Sequence, residues 1–136
     1  MNLTEKAQTI FASDRYATEM TGVRLIQLDA HQSICQMEVT PQHRNAMGGV
    51  MGGAMFTLAD FAFATAANSD CIAQDLALQW VSIESSIHYL SNTTDCLLTA
   101  RAKAVKHGTR TCLYHIEVSD SKGKILAIVE TTGMRL

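Results

Sequence analysis

A chain of 136 residues, 47% apolar and 18% charged, can bury roughly two-thirds of its unfolded surface, which excludes disorder and points to one domain spanning 1–136. Its formal charge of −2, with Lys and Arg scattered, gives no electrostatic reason to expect nucleic acid or an anionic membrane as partner. The four cysteines (Cys35, Cys71, Cys96, Cys112) form no Cys-x-x-Cys pair, and the polar start Met1-Asn2-Leu3-Thr4-Glu5-Lys6 does not read as a secretory leader. Reduced thiols and a cytoplasmic setting are therefore expected.

Along the chain, residues 1–20 read as an N-terminal helical segment, with one or two short helices between Leu3 and Thr18. Gly22 interrupts it, and Val23–Leu28 reads as a strand. A second strand alternates Cys35, Met37 and Val39 against Gln36 and Glu38. Pro41 opens a loop to Gly49. From about Gly52 to Asn68 the pattern is helical and apolar nearly all round, which predicts a buried helix. After Asn68-Ser69-Asp70 the period becomes two: Ile83, Ser85, Ile87 and Tyr89 oppose Ser82, Glu84, Ser86 and His88. Strands at Leu97–Val105, Thr111–Val118 and Lys124–Met134 follow, separated by polar turns. An α+β architecture satisfies this order: a long antiparallel sheet wrapped around one central helix, each burying the other's apolar face.

Two features of the helix carry chemistry. Four glycines in six positions (Gly48, Gly49, Gly52, Gly53) surround its start, where backbone N–H groups have no intrahelical acceptor. With the helix dipole, the N–H near Gly52 can stabilise a developing oxyanion; equally, the glycines can serve turns and close packing. Asp60 is the only charged residue between Arg44 and Asp70, and a carboxylate in apolar surroundings is costly unless paired or used. Its bland alternatives are a hydrogen bond to Thr57 or simple solvent exposure. Eight residues of helix rise roughly 12 Å, so one chain's Asp60 cannot reach a carbonyl held at its own Gly52. If the two cooperate, a second copy of the helix runs antiparallel across a dimer interface.

The segments Asn45, Gly48, Met51-Gly52-Gly53 and Leu58-Ala59-Asp60, then Ala66-Ala67-Asn68-Ser69, Val81–Leu90 and Lys106–Thr111, resemble hotdog-fold acyl-CoA thioesterases of the phenylacetate-degradation (PaaI-like) type. The resemblance runs from about Thr21 to Met134. It implies a hotdog fold, a homodimer or homotetramer, an acyl-CoA substrate and no cofactor. It also implies roles: the Gly52 N–H polarises the thioester carbonyl, Asn45 positions substrate or water, and Asp60 of the opposing subunit acts as base or nucleophile. Ser82 falls where some relatives orient the attacking water, although an outward polar residue in an alternating strand is an equal reading. Substrate and CoA contacts are implied for Met51, Gly53, Asn68, Lys106, His107, Gly108 and Arg110, the last four also readable as a plain basic turn. Met51 departs from the family, which has histidine there; a thioether cannot replace an imidazole's hydrogen bonds.

The histidines (His31, His43, His88, His107, His115) fall at no metal-ligand spacing and read as polar surface positions, so no metal is expected. No Gly-x-Ser-x-Gly elbow or phosphate loop occurs. Met47, Met55, Phe56 and Phe61 are expected to line an acyl pocket. Hydrolysis of an acyl-CoA thioester is the leading function, with a non-catalytic acyl-CoA-binding hotdog protein as the alternative.

Overall fold

The computed structural model describes residues 1–136. Helix α1 (Leu3–Phe11) starts at Asn2, whose Oδ1 accepts from the Glu5 N–H at 2.8 Å while Glu5 Oε1 accepts from the Asn2 N–H at 3.2 Å. This reciprocal cap fixes the first turn. A wide helical turn at Tyr16–Met20 follows, then β1 (Val23–Asp29), β2 (Gln32–Glu38), α2 (Gly52–Ala67), α3 (Ser69–Ala73), β3 (Trp80–Tyr89), β4 (Leu97–His107), β5 (Thr111–Asp120) and β6 (Ile125–Arg135). The six strands form one antiparallel sheet in the order β1-β2-β4-β5-β6-β3, with β1 and β3 at its edges. The expected element order is observed, apart from α3, where the sequence suggested only a break.

Side chains stack in rows across the face that grips α2. One row runs Leu25, Cys35, Ala100, Val118, Ala127 and Tyr89, from β1 to β3. Against these rows α2 buries Met55, Leu58, Ala59, Phe61, Ala62, Phe63, Thr65, Ala66 and Ala67. Burying each large side chain contributes about 1.5–3 kcal/mol, so this face fixes the helix on the sheet. The helix is not buried all round, however. Gly53 and Asp60 are exposed and Thr57 and Ala64 half-buried, leaving a stripe at i, i+4, i+7 and i+11 that no element of the chain covers.

Two β-bulges decide where side chains point. In β3, Ser82 pairs with Gly133 and Glu84 with Thr132, so Ile83 is an extra residue. Strict alternation would set Ser82 against Ser85, Ile87 and Tyr89; the bulge puts them all on the helix-facing side. Ser82 shares this side while remaining exposed on the edge strand. In β4, Ala104 pairs with Tyr114 and Lys106 with Leu113, making Val105 extra and bringing His107 opposite Cys112. His107 thus faces inward with Cys112, Gly133 and Ser82 in one lateral row. Gly133 has no room for a side chain: an added Cβ would lie 2.7 Å from both Cys112 Sγ and Phe63 Cζ.

Candidate active site

The start of α2 is shaped by the loop before it. Asn45 Oδ1 accepts from the N–H groups of Met47 and Gly49, both at 3.0 Å, and Gly48 takes a φ of 87° that suits only glycine well. Asn92 clamps the loop from the end of β3, accepting from Val50 N–H at 2.9 Å and donating to Val50 O at 3.1 Å. Met51 is the N-cap with φ −65° and ψ 135°, and its side chain caps nothing. As a result the Gly52 and Gly53 N–H groups donate to no acceptor in the chain. Asn45 Nδ2 likewise donates to none, so this loop end presents several free donors. The Tyr89 ring lies over Gly52 so closely that an added Cβ would sit 2.8 Å from its hydroxyl.

Asp60 lies in the middle of the open stripe. Thr57 Oγ1 donates to Gly53 O at 2.9 Å rather than to Asp60, so the predicted structural alternative for the carboxylate does not form. No cation or donor of the chain pairs with it. Burial against the surrounding protein, reinforced by the charge of Asp14, raises its carboxyl above the usual aspartate value of 3.8. The side chain nevertheless reaches solvent in a groove of about 570 Å³ lined by Asp14, Arg15, Tyr16, Phe56, Thr57 and Phe61 among others. A carboxyl that is reachable, unpaired and raised is suited to proton transfer. Of the expected pocket residues, Phe56 and Phe61 line this groove. Met55 is in the core at 1% exposure and Met47 stands in the loop at 94%, so neither does.

Asn68 is corrected. It is buried, and its amide is fully spent: Nδ2 donates to Ala64 O (2.9 Å) and Trp80 O (3.2 Å), while Oδ1 accepts from Gln79 N–H and Trp80 N–H, both at 3.0 Å. It ties the end of α2 to the start of β3 and has no hydrogen bond left for a substrate. His107 is half-buried and lines a surface cavity beside Gly108. Its ring packs inward, with Nδ1 2.8 Å from Tyr114 Oη and the ring centroid 4.4 Å from that of Trp80, and burial, with His31 beside it, lowers its pKa. Lys106 and Arg110 remain exposed around Gly108. The surface-histidine reading fails for His31 too, whose ring stacks on that of His107 at 4.0 Å.

Sequence reasoning missed Tyr89, Asn92 and Asp14. Each meets the site through a distant element, and only the turn-forming character of Asn92 was visible beforehand.

Sheet, enclosed helix and unsatisfied helix start together define a hotdog fold. The sequence profile of the thioesterase superfamily matches residues 47–127. A protein named "Putative esterase" from Archaeoglobus fulgidus is 35% identical over 119 residues, covering 87% of this chain and 73% of that one. The acyl-coenzyme A thioesterase PaaI of Escherichia coli is 29% identical over 133 residues, covering 97% and 90%. The solved structure of the E. coli PaaI protein superposes with a TM-score of 0.83 at 27% identity, over 99% of this chain and 96% of that one. The chain belongs to the thioesterase superfamily, as a PaaI-like hotdog thioester hydrolase.

Proposed function

We propose that this protein hydrolyses an acyl-CoA thioester to a free carboxylic acid and CoA, in a site shared between two antiparallel copies of α2. The observation that carries this reading is the pairing of free N–H donors at Gly52 with an unpaired, raised carboxyl at Asp60, separated by roughly 12 Å of helix rise. Similarity to the E. coli acyl-CoA thioesterase and, at 25% identity, to a 1,4-dihydroxy-2-naphthoyl-CoA hydrolase of Listeria monocytogenes supports the substrate class.

In this scheme the Gly52 N–H binds the thioester carbonyl oxygen and Asn45 Nδ2 positions the substrate or water. Asp60 of the partner subunit takes a proton from water as it adds to the carbonyl carbon. The tetrahedral oxyanion rests on the Gly52 N–H, then collapses and expels the CoA thiolate, which receives the proton. Attack by Asp60 itself, through a mixed anhydride, is the other route; label found in Asp60 after single turnover in ¹⁸O-water establishes it, because water attack on the anhydride at the Asp60 carboxyl carbon is the step that puts it there. Ser82, on the helix-facing side of β3, is assigned to orient the water. Met51 and Gly53 border the carbonyl site. Lys106, Gly108 and Arg110 lie at the opposite end of α2 from their own Gly52, so they are assigned to CoA bound at the partner's helix start.

Assembly is supported by the uncovered stripe of α2 and by edge strand β3, where Val81 and Ile83 are exposed. We assign a homodimer built on these surfaces and a further pairing into a homotetramer, to be measured by light scattering. The whole chain acts as one hotdog domain, with residues 1–20 walling the Asp60 groove. All four cysteines are free thiols, and no helix is long and apolar enough to cross a membrane, which supports a cytoplasmic assignment.

The test is thiol release over a panel of aryl-, short- and long-chain acyl-CoAs. Gly52→Pro deletes the N–H at a first helical position, and Gly52→Ala, which keeps the N–H, controls for the Cβ that both variants press against the Tyr89 ring. The proline variant is expected to lower kcat by about 10²–10³-fold relative to the alanine variant. The exposed Met51 thioether, offering no hydrogen bond, favours the second reading of a non-catalytic acyl-CoA binder. Binding without thiol release by the wild type would establish that reading instead.

A further inference from the structure

At the far end of α2 from Gly52, three side chains from distant parts of the sequence converge. His31 comes from the β1–β2 turn, Asp70 from α3 and His107 from the end of β4. One ligating atom from each lies within 4.8 Å of the others, and all three residues are half-buried. We propose that His31, Asp70 and His107 form a binding site for a divalent transition-metal ion of the zinc class. The set of two imidazoles and one carboxylate is a borderline-soft donor set that suits Zn²⁺ over Mg²⁺ or Ca²⁺, and it leaves a fourth position for water.

The surroundings orient the ligands. Tyr114 Oη, buried in the core, lies 2.8 Å from His107 Nδ1 and 3.4 Å from Ala66 O. With the Tyr114 proton directed to Ala66 O, the hydroxyl accepts from His107 Nδ1–H and the Nε2 lone pair is free, the arrangement by which an outer hydrogen bond prepares a histidine for a metal. The bulge at Val105 is what turns His107 inward to meet this hydroxyl. His31 holds a left-handed φ of 56°, and its backbone N–H donates to Ser69 Oγ at 2.9 Å, anchoring the turn beside α3. His31 Nε2 and Asp70 Oδ2 are 2.7 Å apart, a contact that requires a proton between them. A tetrahedral Zn²⁺ with bonds of about 2.0–2.2 Å spaces its ligand atoms about 3.3–3.6 Å apart. Binding therefore replaces that proton with the metal and opens the His31–Asp70 contact by roughly 0.6–0.9 Å. The two rings, now stacked with planes 15° apart, fan open as the free His107 nitrogen moves in. His31 and Asp70 have side chains 32% and 50% exposed, so they can make this adjustment without disturbing the core.

The test is calorimetric titration of the chelator-treated, full-length protein with Zn²⁺, with His Cε1–H resonances followed by NMR. One equivalent per chain is expected, shifting the His31 and His107 resonances and leaving those of His88 and His115 in place. His107→Asn, and His31→Asn, which tolerates the left-handed backbone, should each weaken binding at least tenfold, and Asp70→Asn several-fold. His115→Ala, beside Glu117 on the exposed face, should leave it unchanged. Absence of stoichiometric binding overturns the proposal. So does binding that survives in the His31→Asn/His107→Asn double variant, or resonance shifts confined to His88 or His115. The wild-type NMR titration decides the question even if a variant fails to fold.

Discussion

At its N-terminal end α2 has no side-chain cap and two N–H groups without acceptors, whereas at its C-terminal end the Asn68 side chain alone makes four hydrogen bonds. One helix thus carries an end left available to a ligand and an end stitched into the sheet. On the proposed reading the difference separates chemistry from scaffold: the donors left free are those a substrate oxygen would complete, while the buried end satisfies its own. In the proposed shared site, Asp60, between the two, works with the open end of another copy rather than its own.

Breaking the open half gives the largest effect. Asp60→Asn should cut kcat/KM by about 10²–10⁴-fold in steady-state assays with the oligomer intact. Full activity would remove Asp60 from the mechanism. Its raised carboxyl sets two signs. Activity needing the carboxylate should grow with pH through that raised pKa, placing the acid limb of the rate profile above the ordinary aspartate value of 3.8. For stability, a raised folded pKa favours the fold below the unfolded value, and this contribution disappears as pH rises through the folded one. Asp60→Asn should therefore raise the neutral-pH Tm above that of the wild type, and this gain should vanish in acid.

The stitched half should answer in stability instead. Asn68→Ala strands the buried Trp80 N–H and its neighbours, costing about 3 kcal/mol, or about 10 °C in Tm, while turnover per folded chain holds. A turnover loss larger than the folded fraction explains would return Asn68 to the site. Gly133→Ala, pressed against Cys112 and Phe63, should cost about 1–3 kcal/mol in denaturant unfolding. Met51→His comes last: turnover should hold or rise modestly, and a clear loss in a folded variant would contradict the placement of Met51 beside the carbonyl.

The element order was legible because periodicity switches cleanly at Gly52 and again after Asp70. The bulges at Ile83 and Val105 were not, because an extra residue in a strand is defined by its partner strand. The side on which Ser82 and His107 lie follows from them. Gly52 and Asp60 stood out because each is chemically odd in its own neighbourhood. Asn68 misled for the opposite reason: an amide at a helix end looks the same in sequence whether it binds a ligand or the next strand. The meeting of His31 with His107 depends on sheet order and could not be read from spacing.

The distance between Gly52 and Asp60 has a genetic consequence if the site is shared. A Gly52→Pro chain retains its carboxylate, and an Asp60→Asn chain retains its oxyanion donor. Each makes an inactive homodimer, yet a mixed pair assembles one wild-type site from the two halves. Two loss-of-function alleles expressed together would then complement each other, restoring catalysis that neither supplies alone.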